Sequence, residues 1–168
     1  MGDYAPASIE FFDVEGHEQR IMRIATEYGF STDWDNQFPY HQPELSQIVD
    51  GVRLVLTDAH LGLLGELAPE LEELGISFVA CQDGYCEYSG EIIMYTPKLG
   101  QFFSDCDNEG HVFIREYEID TLVDIARGSA ATPSTFSKLC IVLDKETGRA
   151  WREYFAARRK KIEDAAVN

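Results

Sequence analysis

Apolar positions along the 168-residue chain change their period part-way through. SIEFFDV, residues 8–14, is a short aromatic and apolar run that predicts a strand. EGHEQRIMRIATEYG follows it. Here Ile21, Ile24, Ala25 and Tyr28 recur at i, i+3, i+4 and i+7, one face of a helix that stops at Gly29. FSTDWDNQFPYHQPELSQ, residues 30–47, has two prolines and no period, and predicts a loop. VRLVLTD, residues 52–58, alternates Val52, Leu54 and Leu56 and predicts a second strand. LGELAPELEELG, residues 64–75, predicts a helix with Pro69 in its first turn or at a kink.

From residue 76 the period becomes two. ISFVACQ, YCEYSGEIIMYT, QFFSDC and HVFIRE are separated by Asp83-Gly84, by residues 97–100 and by residues 107–110, each a turn signal. The pattern predicts an antiparallel meander of about four strands spanning about 76–115. EYEIDTLVDIARG, residues 116–128, reads as a helix, GSAATPST as a linker, and FSKLCIVLDKETG as either a strand or a buried helix. RAWREYFAARRKKIEDA places Trp151, Tyr154, Phe155 and Ile162 along one helical face, opposite Arg158 to Lys161. Short turns between strands predict a single α+β domain, with helices packed mainly on one face of the meander.

Charge divides the chain more sharply than the elements do. Thirty acids against fourteen Lys and Arg give a formal net charge of −16. Residues 1–148 hold 27 acids and 8 bases, and residues 149–168 hold 3 acids and 6 bases. The expected organisation is an acidic body, 1–148, carrying a basic amphipathic C-terminal helix, 149–168, docked on it; closure of a homodimer by that helix stays open. The acidic field disfavours direct binding of nucleic acid or anionic membrane and attracts basic protein surfaces. Solubility alone, or a salt-adapted source consistent with only five lysines, also accounts for such charge. No run of about 18 apolar residues occurs, and the N-terminus resembles no signal peptide, so the cytoplasm is the expected compartment.

Candidate chemistry concentrates in the meander. With a two-residue turn at Asp83-Gly84, Cys81 faces Cys86, and a four-residue loop sets Cys106 opposite His111. Three thiols and one imidazole at two hairpin ends form an accepted zinc ligand set, and alternating turns bring both ends to the same side. A Cys81–Cys86 disulfide and four unligated side chains are the other readings. Cys140, inside KLCIVL, reads as a core hydrophobe.

Evidence for catalysis is thin. The 30–47 loop gathers Trp34, Asp35, Tyr40 and His41 without a periodic reason, Asp58 and His60 share a strand face, and His17 completes the imidazoles. No P-loop, dinucleotide-binding, nucleophile-elbow or zinc-protease motif is present. A small Cys- or His-dependent hydrolase or transferase is the enzymatic alternative, and no catalytic residue is assigned.

YSGEIIMYTPKLGQFFSDCDNEGHVFI, residues 88–114, with its G-E-I, Y-x-P-x-L-G-x-F and D-C-D elements, resembles short acidic proteins of plasmids and integrated mobile elements. The resemblance implies the company of antirestriction and anti-CRISPR inhibitors, which the chain matches in charge and size only. DNA carries one negative charge per about 1.7 Å of duplex axis, so an elongated acidic surface competes for a basic cleft. The leading expectation is a non-catalytic DNA mimic that binds and blocks a basic nucleic-acid-handling host protein; a zinc-supported interaction module is the alternative. Its contact residues would be Glu66, Glu70, Glu72 and Glu73, then Asp105, Asp107 and Glu109, then Glu116, Glu118, Asp120 and Asp124.

Overall fold

The structure is a computed structural model that describes residues 4–32, 43–114, 116–128 and 133–166. The elements run β1 (Tyr4–Phe12), α1 (Glu18–Tyr28), α2 (Leu45–Val49), β2 (Leu54–His60), α3 (Leu63–Glu73), β3 (Ser77–Gln82), β4 (Gly90–Thr96), β5 (Gly100–Cys106), α4 (Glu116–Gly128), α5 (Pro133–Glu146) and α6 (Arg149–Ala166). The strands form one antiparallel sheet in the order β2-β1-β3-β4-β5, so the α+β class expected from the pattern holds. Trp34, Asp35, Tyr40 and His41 lie outside the described residues.

Alternation along the strands separates two cores. On one side Ala7, Ile9 and Phe11 of β1, Phe78 and Ala80 of β3, and Ile93 of β4 pack beneath Ile21 and Ile24 of α1, Ile48 of α2 and Leu64, Leu67 and Leu71 of α3. On the other side Phe12, Val79, Ile92, Met94 and Phe102 meet α6 through Phe155, with Trp151, Tyr154 and Ile162 packed against them. Phe155 is fully buried. Among the described residues, α1, α2 and α3 thus pack on one side of the sheet and α6 on the other.

Polar contacts fix α6 in place. Glu10, on the α6 side of β1, accepts from Arg53 Nε at 2.9 Å and from Arg159 Nε at 2.7 Å, one arginine on each carboxylate oxygen. Trp151 Nε1 donates to the Gly100 carbonyl at 2.9 Å. These contacts hold α6 against the sheet.

Two local expectations need correction and two open alternatives are resolved. The meander contains three strands, because HVFIRE contributes only a bridge between Cys106 and Val112. FSKLCIVLDKE is helical, within an α5 that begins at Pro133, an accepted first-turn residue. Pro69 falls in the interior of α3, leaving the Gly65 carbonyl without its i+4 donor. The stretch expected as a loop, 30–47, contains the start of α2, whose capping box joins Glu44 and Gln47.

Candidate partner interface

The predicted tight turn at Asp83-Gly84 does not form. Asp83 N donates to the Pro6 carbonyl at 2.8 Å, continuing alongside β1, and Gly84 N donates to Asn108 Oδ1 at 3.2 Å. With both amides engaged elsewhere, the reversal shifts to residues 85–88, where Tyr85 and Tyr88 exchange backbone hydrogen bonds of 3.1 and 2.9 Å. Cys86, at the tip, takes φ 53°, the left-handed region. The crossing is tight because a Cβ on Gly84 would stand 2.7 Å from the Tyr88 carbonyl, and one on Gly90 would stand 2.8 Å from that of Gln82.

This shift dismantles the proposed pairing of thiols. Cys81 faces Ile92, not Cys86, and Cys86 is exposed while Cys106 is buried. The two turns do meet at one end of the sheet, through Gly84 and Asn108, as alternating turns require. Among the described residues no three His, Cys, Asp or Glu side chains gather in a metal-holding group, so Cys81, Cys86, Cys106 and His111 are not brought together. All four cysteines are free, and burial pushes the thiols of Cys81 and Cys106 up to about 11 and about 12.

His111 belongs instead to Asp107. One Asp107 carboxylate oxygen accepts from the amides of Glu109 and His111 at 2.9 and 2.8 Å, and the other lies 2.8 Å from His111 Nδ1. These bonds hold the Asp107 carboxyl below its ordinary range and raise the His111 imidazole above its own. Beside this loop, a hollow of about 520 Å³ is lined by Cys86, Tyr88, Asp107, Asn108, Glu109 and Phe113.

The candidate acids fall into three sets. Glu66, Glu70, Glu72 and Glu73 lie on α3, which carries no basic residue. Glu66 reaches His60 at 3.8 Å, and the Tyr28 hydroxyl is pushed up by burial and by Glu70 and Glu66. Glu72 Oε1 is buried without a hydrogen-bond partner among the described residues, and burial raises its pKa. Asp105, Asp107 and Glu109 lie at the C-terminal end of β5 and in the loop after it. Asp120 and Asp124 are exposed on α4, and the side chains of Glu116 and Glu118 fall outside those described.

Glu91 and Phe103, which the sequence did not single out, extend the surface around Asp105. Because Ile93 points toward α3 and pairs with Phe103, the neighbouring pair Glu91 and Asp105 points the same way. Two carboxylates thus stand directly opposite one another on adjacent strands, a repulsive arrangement. Burial and, secondarily, Asp105 push the Glu91 carboxyl up. α3 packs on β3 and β4, and Phe103 on β5 remains 50% exposed, with Phe113 46% exposed nearby. The alternation Glu91, Ile93, Tyr95 was a readable signal, but only the register places Asp105 opposite.

A family model described as a protein of unknown function, DUF3145, matches residues 26–168. The chain belongs to the DUF3145 family. The match to DUF3145 spans α3, the β3–β5 meander and α4 to α6, and so includes every candidate contact residue named above. It leaves out β1, the strand that joins β2 to the meander. No curated protein and no solved structure matches the chain.

Proposed function

We propose that this protein is a non-catalytic binding protein whose α3 and β5 surface receives a basic surface of a nucleic-acid-handling host protein, in competition with nucleic acid. The observation that carries this reading is a polarity across the sheet. Four carboxylates of α3 and the opposed Glu91 and Asp105 share one side with the exposed Phe103, whereas Arg158, Arg159, Lys160 and Lys161 belong to α6 on the other. Arginine and lysine from a partner relieve the repulsion between Glu91 and Asp105, and a guanidinium stacks on an exposed aromatic ring. Direct binding of nucleic acid to this side is disfavoured by the same charge.

The test is a competition. A partner captured at low salt is purified and offered duplex DNA together with this protein. Replacing Glu66, Glu70 and Glu73 by Lys, or Phe103 by Ala, weakens the complex by about tenfold or more, equivalent to about 1.4 kcal/mol. Replacing Lys160 and Lys161 leaves it unchanged. A partner that holds DNA and this protein at once, or that is indifferent to the α3 charges, overturns the reading.

A further inference from the structure

A second hollow, of about 430 Å³, opens where β1 ends beneath the C-terminal half of α6. Its volume falls in the range of small-molecule sites. Phe12, Val14, Val49 and Ile162 supply an apolar lining, and Val49 is 50% exposed, an aliphatic side chain without cover. The charges come from two adjoining segments, which touch through Asp13 and Arg158. The chain after β1 contributes Asp13, Glu15 and Glu18, and α6 contributes Arg158 and Lys161.

Most of these charges are already engaged. Asp13 accepts from Tyr154 Oη at 2.5 Å and pairs with Arg158 at 3.0 Å, and Glu18 accepts from the Gly16 amide at 3.0 Å. Asp13 itself takes φ 55°, a left-handed conformation that turns the chain out of β1 and raises the wall carrying Glu15. Among the described residues no ion pair engages Glu15 or Lys161. One uncommitted carboxylate and one uncommitted ammonium therefore line the hollow beside its apolar residues.

We propose that this hollow binds a free amino acid with a large apolar side chain. The side chain covers Val49 and Ile162, the carboxylate turns to Lys161 and the ammonium turns to Glu15. This site is separate from the α3 and β5 surface and does not depend on the function proposed for it. Neither a purely anionic nor a purely cationic amphiphile satisfies both walls, because each leaves one like charge facing its head group.

The test is an amide chemical-shift titration of the full chain with L-phenylalanine and L-leucine. Saturable shifts at Val14, Val49 and Ile162 are expected, with a midpoint of about 1 mM or below, the affinity of a small site with two charged contacts. N-acetyl-L-phenylalanine, which lacks the ammonium, and L-phenylalaninamide, which lacks the carboxylate, each bind at least about fivefold more weakly. Lys161→Met and Glu15→Gln, both exposed positions, reproduce those losses in a folded chain, and glycine does not saturate. Absence of saturable shifts with both amino acids overturns the proposal. Equal midpoints for the capped and free forms overturn it as well.

Discussion

Asp107 and the cysteines show how local bonding decides the chemistry of single side chains. The pairing of Asp107 with His111 is bounded by two titrations. The His111 imidazole is raised above 6.5, so its share of the loop's stability is fully present below that value and is lost as pH rises through the higher folded pKa. The Asp107 carboxyl is lowered below 3.8, so its share is present above that value and is lost as pH falls through the lower folded pKa. The loop is therefore tightest between about pH 4 and pH 6.5. NMR titration of His111 should give a pKa above 6.5, and Asp107→Asn should bring it back down; an unchanged value in the variant would remove the pair. Thiol chemistry follows burial in the same way. With Cys81 near 11 and Cys106 near 12, fewer than about one thiol in a hundred is ionised at pH 8, whereas Cys86 is exposed. Iodoacetamide at that pH should label Cys86 first and leave Cys81 and Cys106 unmodified until the chain unfolds, as read by peptide mass spectrometry. Labelling of Cys106 at the rate of Cys86 would contradict its burial.

Element by element, α6 depends on a single carboxylate more than on its charge pattern. Glu10 is 7% exposed, and its two oxygens bind Arg53, just before β2, and Arg159 from α6. Glu10→Gln should lower stability to urea by about 1–3 kcal/mol, since it weakens two charge-assisted hydrogen bonds at one buried position. Arg159→Met should cost less, because Arg53 still neutralises the carboxylate. The double variant should cost clearly less than the sum, with a coupling of about 1 kcal/mol; additivity would mean that the two groups do not interact in the folded chain. The amphipathic face of α6 was legible in its sequence, because Trp151, Tyr154, Phe155 and Ile162 recur at helical spacing. Its anchor was not, since nothing local to Glu10 in SIEFFDV marks it as the partner of residues 43 and 149 positions away. The same asymmetry explains the site. The turn signals gave both ends of β3 and β5 and the end of β4 almost to the residue, because strand period and glycine punctuation are local, but they began β4 at Tyr85, five residues before Gly90. The placement of Cys81 opposite Ile92 depended on where the Asp83 amide was spent, and that was decided by Pro6, in a strand 77 positions earlier. α5 was ambiguous because a run such as LCIVL is apolar in either period.

Across the whole molecule negative charge is in excess, and the partly buried carboxylates turn this into a pH dependence. Asp83, Glu72 and Glu91 all have raised pKa values, each chiefly through burial, with Asp105 adding to Glu91. A carboxyl raised in the folded state binds its proton more readily there than in the unfolded chain. Its contribution is therefore fully present below the unfolded value, 4.5 for Glu91, and is lost as pH rises through the folded one. The net charge of −16 acts in the same direction, since self-repulsion across the acidic side falls as the chain approaches its isoelectric point near 4.5. The expected result is a melting temperature that rises as pH is lowered from 7 toward about 5, opposite to a protein stabilised by ionised carboxylates. Two controls separate the contributions. Added salt at pH 7 should recover the part due to exposed charge, because that part is screened. Glu91→Gln at pH 7 should raise the melting temperature further at the same salt, because the opposed pair on β4 and β5 is partly buried and so only partly screened. A Glu91→Gln chain less stable than the parent would mean that Glu91 and Asp105 are not the repulsive pair that their register implies.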